Sequence, residues 1–406
     1  MESKREFLAA KSGMRNIFLL GLTSFFTDLS TEMVAPIVTI YLSGFATVAI
    51  IGLIEGITES MTALLKSYSG YIGDKFSNKK MLAFVGYAAA ILYKIMLIFS
   101  FTWVGVLFAK IIDRTGKGLR TAPRDALVAE SGGKKLGSAF GFHKMMDMAG
   151  SAMGILMSIL LVIWLVGENA NALTTSDFHA IFLISIVPVL FGLVSLLLVR
   201  EAKHHKNELK KFSLRGIRLP KQLIWYLVVV LVFSIGNSSN AFLVLRIKEV
   251  GLTTLDVLKL YLVYNLSSSV VSFPLGKLSD KIGRKHLVIP AYILYGLVYL
   301  GFAFLTTEIW LYLLFVVYGI FQAILAGSEK SFVTELAPKD LKGTVLGLYG
   351  TAQGLGLLAA SLLAGWIWTA ISPSATFVFG GVMGFLAAIS LAIVFQIRPE
   401  SAEKVQ

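Results

Sequence analysis

Apolar runs of about 20 residues recur along the whole chain, each close to the length that crosses about 30 Å of hydrocarbon at about 1.5 Å per residue. Twelve of them predict twelve helices. In the first half they cover 16–42, 47–70, 81–100, 103–120, 137–165 and 178–199; in the second, 223–245, 254–276, 287–306, 309–330, 343–370 and 373–396. The fold class this pattern predicts is an all-α integral membrane protein with twelve transmembrane helices.

Composition agrees with that reading. A chain with 56% hydrophobic and 15% charged residues and a mean hydropathy of +0.76 has more apolar surface than a soluble core can hide. The first run follows Lys4, Arg5, Lys11 and Arg15, but it carries Asp28 and Glu32 and has no small-residue cleavage site. It is therefore expected to stay as the first helix and not to be removed as a signal peptide.

The formal charge of +13 would suit a nucleic-acid partner if it were gathered in one patch. It is instead spread over alternate loops. Lys75, Lys79 and Lys80 follow the second run, Arg120, Arg124, Lys134 and Lys135 the fourth, Arg200 to Lys221 the sixth, and Lys281, Arg284 and Lys285 the eighth. Lys339 and Lys342 follow the tenth, whereas the opposite loops 43–46, 167–177 and 371–374 contain no Lys or Arg; Arg246 and Lys248 are the main exception. By the positive-inside rule both termini are cytoplasmic. The absence of cysteine removes disulfides, thiolate metal sites and cysteine nucleophiles together.

The basic stretch from Arg200 to Lys221 divides the runs six and six. The expected organisation is a six-helix bundle over 1–199, a central cytoplasmic loop over 200–222 and a second six-helix bundle over 223–406. Internal similarity supports a duplication. Gly70 and Asp74 after the second run and Gly276 and Asp280 after the eighth are related by an offset of 206 residues, and the same offset relates Gly137 and Gly141 to Gly343 and Gly347.

The segment Gly276-Lys277-Leu278-Ser279-Asp280-Lys281-Ile282-Gly283-Arg284-Lys285 resembles the signature loop of the major facilitator superfamily, and the twelve-run topology resembles it throughout. The resemblance implies two parallel repeats with a solute site between them near the midplane. It also implies a gate built from Gly70, Asp74 and Lys75 in the first copy and Gly276, Asp280, Lys281, Gly283 and Arg284 in the second. The glycines let helix ends approach, the aspartates pair with a neighbouring helix or its N-terminus, and the bases hold the loop at anionic lipid. The first copy departs from the pattern, with Ser77 and Asn78 where Gly and Arg are usual.

Arg114 and Gly118 have the spacing of the superfamily's second motif, whose arginine is associated with proton coupling in many members. The run from Asp113 to Asp125 also looks like that of a bacterial permease subgroup, some of whose members are labelled nickel-resistance or drug exporters. Ala149-Gly150-Ser-Ala-Met-Gly154 only partly resembles the antiporter motif, because it lacks the usual Gly-Pro.

Ionisable residues inside predicted spans are costly, about 2.5–3.5 kcal/mol each at the bilayer centre on insertion scales, so they need partners, water or a purpose. Asp28 and Glu32 lie four apart on the first helix, and Glu55, Glu59, Thr62 and Lys66 follow one face of the second. The fourth adds Lys110, Asp113, Arg114 and Lys117, and the fifth His143, Lys144 and Asp147. Asp28, Glu32, Glu55, Glu59, Asp113, Arg114, His143 and Asp147 are thus the proton-coupling candidates, carboxylates that load and release a proton beside a guanidinium as access alternates. The competing reading is a set of structural ion pairs.

The second half offers neutral hydrogen-bonding groups instead, so Asn237, Asn240, Tyr264, Asn265, Gln322 and Gln353 are the candidates for gripping a polar solute. Their competing reading is helix packing. Gly116-Lys-Gly and Gly132-Gly-Lys-Lys lack phosphate-loop spacing, so no nucleotide-binding domain and no cofactor are expected.

The expected function is transport and not enzymatic catalysis: a secondary transporter moving a small molecule or ion by alternating access, coupled to protons, with export favoured. Its expected partners are substrate, protons and membrane lipid, with no nucleic acid, no resident metal and a monomeric chain. A divalent-cation exporter, a solute importer and a non-transporting membrane sensor remain as alternatives.

Overall fold

Helix formation in hydrocarbon is close to compulsory, because each backbone N–H and C=O must find its partner within the protein. The computed structural model describes the backbone of residues 2–75, 79–132, 136–167, 173–200, 219–282, 285–338 and 341–397, with side chains described for most of these. Among the described residues the regular structure is helical throughout. The first seven helices are α1 (Glu2–Ser43), α2 (Val48–Lys75), α3 (Lys79–Ile98), α4 (Trp103–Gly132), α5 (Leu136–Val166), α6 (Thr175–Ile184) and α7 (Ile186–Leu197). They are followed by α8 (Lys221–Gly236), α9 (Ala241–Glu249), α10 (Thr254–Ile282), α11 (Lys285–Phe304), α12 (Glu308–Leu336), α13 (Lys342–Ala370) and α14 (Pro373–Ile397).

Fourteen helices answer to twelve predicted runs because two runs are broken. The sixth breaks at Ser185, where α6 meets α7. Pro188 cannot donate to the carbonyl one turn earlier, and the Ser185 carbonyl is taken by the Ser30 hydroxyl of α1. The seventh breaks between α8 and α9, where Asn237-Ser238-Ser239-Asn240 puts four weak helix formers in a row. There Tyr295 donates its hydroxyl to the Gly236 carbonyl at 2.7 Å, so a backbone acceptor released by the break is satisfied by a side chain.

Ten segments among the described residues are long and apolar enough to cross a membrane, with α6 plus α7 counted as one and α8 plus α9 as another. The chain is an integral, multi-pass membrane protein. The two predicted runs not among the ten fall in α4 and α10. These have 30 and 29 residues, ample length, but α4 carries Lys110, Asp113, Arg114, Lys117, Arg120, Arg124 and Asp125 within 16 residues. Its polarity, not its length, sets it apart.

The helices gather into two compact units. One comprises Met1–Ala46, Leu64–Lys211 and Ile247–Leu262; the other comprises Thr47–Ala63, Phe212–Arg246 and Val263–Gln406. In the first unit α1 packs most extensively on α5 and α3 on α4. Gly150 and Gly154 explain the closeness of α1 and α5: a Cβ at either would run into the backbone carbonyls of Phe25 and Leu29 respectively. Two small residues four apart let backbones approach where lipid supplies no hydrophobic drive for association.

In the second unit α11 packs on α14 and α8 on α13, with an aromatic centre in which Phe233 stacks on Tyr292 at 4.2 Å. Arg246, the outlier of the loop-charge pattern, is 4% exposed. It donates to the carbonyls of Phe302 at 2.9 Å and Ala303 at 3.1 Å, at the C-terminal end of α11. A buried guanidinium there meets carbonyls that have no helical donor and the negative end of the helix dipole.

Two consequences are measurable in detergent. Gly154→Leu should overpack the α1–α5 contact and lower unfolding stability by about 1–3 kcal/mol, read as a fall in the midpoint of thermal unfolding. Arg246→Met should remove hydrogen bonds from a charged donor and cost about 2 kcal/mol, with the loss localised to the C-terminal end of α11 by hydrogen exchange.

Candidate functional site

The polar interior of the first unit is built on α1. Ser24, Asp28 and Glu32 succeed one another at intervals of four and so share one face. Ser24 donates its hydroxyl to Oδ1 of Asp147 on α5, and Nδ1 of His143 lies 3.6 Å from the same oxygen, one turn away on α5. His143 is 4% exposed, and its Nε2 is buried without a hydrogen-bond partner among the described residues. The glycine-mediated approach of α5 to α1 is what brings these groups within reach.

The α4 charges complete the cluster. Asp28 lies in the fields of Asp147, Lys117, Arg120 and Arg124, and Glu32 in those of Asp28, Lys117 and Arg114. Asp113 and Arg114 approach to 3.9 Å, Arg124 and Asp125 to 2.8 Å. Arg120 sets its guanidinium over the Tyr87 ring at 4.4 Å, a cation–π contact that strengthens away from water. Six of the eight proton-coupling candidates, Asp28, Glu32, Asp113, Arg114, His143 and Asp147, therefore belong to one unit. The other two, Glu55 and Glu59, belong to the second.

In that second unit Glu55 is 3% exposed and accepts the Ser239 hydroxyl at 3.0 Å, from the break between α8 and α9. Glu59 lies one turn further along α2 and is half-buried. Of the solute-binding candidates, Asn240 accepts the Tyr318 hydroxyl at 2.8 Å through Oδ1. Gln322 donates to that hydroxyl at 3.1 Å, and the ring of Tyr264 lies 5.4 Å from that of Tyr318. Asn240, Tyr264 and Gln322 thus form one polar and aromatic group around Tyr318. Asn237 ends α8, its N–H bonded to the carbonyls of Phe233 and Ser234, and Asn265 is half-buried on α10. Gln353 sits apart from them, donating to Tyr349 at 2.6 Å and Glu329 at 3.2 Å.

Gly70, Asp74 and Lys75 fall in the last turns of α2, and Gly276, Asp280 and Lys281 in those of α10; their side chains lie outside the described residues, as do Gly283 and Arg284 altogether. Among the described residues no group of three or more His, Cys, Asp or Glu side chains is gathered to hold a metal ion.

Three features escape the sequence reading. Lys94 is 1% exposed within α3, whose other lysines, Lys79 and Lys80, lie at its N-terminus, and its lone charge in the predicted run 81–100 was the available signal. Tyr318 is the hub for three candidates, and Tyr292 and Tyr349 converge on Glu329. Tyrosines are common in such helices, so spacing alone does not single these out.

A profile of the Major Facilitator Superfamily matches residues 20–356 and 249–406. The chain belongs to this superfamily. It is 36% identical to an uncharacterized MFS-type transporter of Methanocaldococcus jannaschii, over 94% of this chain and 95% of that one. It is 22% identical to a multi-drug resistance efflux pump homolog of Lactococcus lactis, over 87% and 89% respectively. Among solved structures, the nucleoside transporter NupG superposes with a TM-score of 0.75 at 12% identity, covering 94% of this chain and 100% of that one. A D-xylose-proton symporter superposes with a TM-score of 0.71 at 16% identity, covering 93% and 96%. At these identities the structural likeness speaks for the fold. The facilitator superfamily is a family of transporters of small solutes and not a class of enzymes.

Lys94 gives this unit a test. Among the described residues its ammonium meets the Ala90 carbonyl at 3.4 Å, the Tyr93 ring at 5.6 Å from its centroid and the field of Asp113, which keeps Arg114 beside it in any case. Desolvation of a charge so weakly bonded outweighs a longer-range attraction. Lys94→Met should therefore raise the thermal midpoint, equivalent to about 1 kcal/mol or more. A lower midpoint would mean that the attraction to Asp113 dominates.

Proposed function

We propose that this facilitator is a proton-coupled secondary transporter that exports a small organic solute by alternating access of two six-helix halves. The halves are 1–199 and 223–406, joined by a cytoplasmic loop over 200–222; all twelve runs cross the membrane, α4 and α10 included, and both termini are cytoplasmic. The observation that carries the proposal is the convergence of Ser24, Asp28, His143 and Asp147 from α1 and α5 beside the α4 charges. A structural ion pair would stop at one acid and one base, as His143 and Asp147 could. This group adds a hydroxyl on Asp147 and a second carboxylate, Asp28, in the field of the first. Carboxylates and an imidazole gathered inside membrane helices suit a proton relay.

The remaining assignments follow the same logic. Asp28, Glu32, Asp113, His143 and Asp147 handle protons under the influence of Arg114, with Glu55 and Glu59 as further carriers. Asn240, Tyr264 and Gln322, with Asn237, Asn265 and Gln353, grip a polar solute. Gly70, Asp74, Lys75, Gly276, Asp280, Lys281, Gly283 and Arg284 form the gate against anionic lipid. Export is supported by the likeness to multi-drug efflux pumps, and the protein acts as a monomer in the bacterial inner membrane.

The test is purified protein in liposomes under an imposed pH gradient, with an internal pH dye and a panel of organic cations, organic acids, sugars and divalent metals. One class of organic solute should trigger proton movement, and Asp28→Asn or Asp147→Asn should slow it at least about tenfold. Solute flux with no proton movement would make the cluster structural. Proton movement triggered by divalent metals alone would replace the organic solute by a cation.

A further inference from the structure

Outside the first unit's cluster, the most completely enclosed acid in the described structure is Glu329 of α12. It is 2% exposed and accepts three hydrogen bonds. Tyr292 of α11 donates to Oε1 at 2.6 Å, Tyr349 of α13 to Oε2 at 2.7 Å, and the Gln353 amide to Oε2 at 3.2 Å. Gln353 also donates to the Tyr349 hydroxyl at 2.6 Å, so the amide and phenol form a short chain ending on the carboxylate.

These hydrogen-bond donors are all uncharged. The helices packed on α12 include α8, α11 and α13. Among the described residues the titratable groups they turn toward Glu329 are Tyr226, Tyr292 and Tyr349, and none of these is a cation. α10 meets α12 at Gly319, through Ser267 and Tyr264, ten residues or about 15 Å along the helix from Glu329.

We infer that Glu329, enclosed by Tyr292, Tyr349 and Gln353, is a second proton-binding site of the protein, located in the other unit and independent of the Asp28–Asp147 cluster. An enclosure meant to hold a permanent anion would be expected to use a fixed cation, whose charge repays desolvation in one protonation state only. Phenols serve both states, since each oxygen donates and accepts. With the carboxylate ionised, both phenols donate to it. When a proton binds one carboxylate oxygen, the new acid O–H donates to a phenol oxygen, and that phenol turns its own hydrogen elsewhere.

A receiver for the turned hydrogen is at hand. The Tyr226 hydroxyl, buried in the field of Glu329, lies beside the Tyr292 hydroxyl and makes no other hydrogen bond among the described residues. While Glu329 is ionised Tyr226 donates to the Tyr292 oxygen, and when Glu329 is protonated it accepts the hydrogen that Tyr292 turns away. The ring of Tyr292 is held by stacking on Phe233, so the exchange needs only rotation of hydroxyl hydrogens and no movement of side chains.

The experiment is pH-difference infrared spectroscopy on the full-length protein in liposomes without any solute, following the C=O stretch of protonated carboxyl groups from about pH 5 to about pH 9. The wild type should show a component that appears on acidification and is absent in Glu329→Gln. Tyr292→Phe keeps the acid but removes a donor that favours the anion. In that variant the component should move in frequency and appear at a less acidic pH. A Glu329→Gln spectrum identical to the wild type's overturns the inference, as does a component that ignores Tyr292→Phe. Should Glu329→Gln fail to fold, the Tyr292→Phe spectrum decides alone. Because no solute is present, the signal is independent of flux: a protein that moves no protons with any solute can still show it, and an active transporter can lack it.

Discussion

Charge held away from water is the constraint on which this architecture turns. An isolated ion inside an apolar medium costs several kcal/mol even after the surroundings relax, yet α4 alone carries seven charged residues between Lys110 and Asp125. Such a helix cannot face hydrocarbon on all sides. It is surrounded by α3, α1 and α5, and the partners it finds there, the Tyr87 ring for Arg120 and the fields of Asp28 and Glu32 for Lys117, make its polarity tolerable. Those apolar neighbours are the surroundings that let α4 exist.

The two units meet this constraint differently. The first compensates charge mainly with charge: its acids and bases lie in each other's fields, with close approaches among the described residues that include Asp113–Arg114, Arg124–Asp125, Lys79–Glu130 and His143–Asp147. The second compensates charge with dipoles. Glu55 takes a serine hydroxyl, Glu329 two phenols and an amide, and Arg246 two helix-end carbonyls. A field-compensated cluster redistributes protons readily because no single bond must break, whereas a dipole-compensated group changes state only when its donors reorient.

The fold was legible in the sequence because its strongest signal, recurrent apolar length, is also its strongest physical requirement. The ends and breaks were less so. Nothing in the length of the sixth run announces a discontinuity at Ser185, which depends on Pro188 together with a hydroxyl from α1. The Asn-Ser-Ser-Asn run read as solute-binding polarity also serves as a helix interruption, and periodicity cannot separate those roles. At the site, the charged candidates of α1, α4 and α5 were visible since each stands alone against an apolar background. Their grouping depended on Gly150 and Gly154, which look like a partial motif in sequence and act as spacers in space.

What the sequence could not display is convergence among residues that are individually ordinary. Tyr292 and Tyr349 lie 37 and 20 residues from Glu329 along the chain, and each would pass for an aromatic packing residue. Together they turn a glutamate near the end of an apolar run into a group with a defined set of donors on two neighbouring helices. This ties the protonation state of Glu329 to the relative positions of α11, α12 and α13, since any sliding among them lengthens at least one of its hydrogen bonds. A carboxylate that loses a donor binds a proton more readily, and a protonated one no longer pulls those donors in. Proton occupancy and helix packing in this unit are consequently two readings of one equilibrium, each able to move the other.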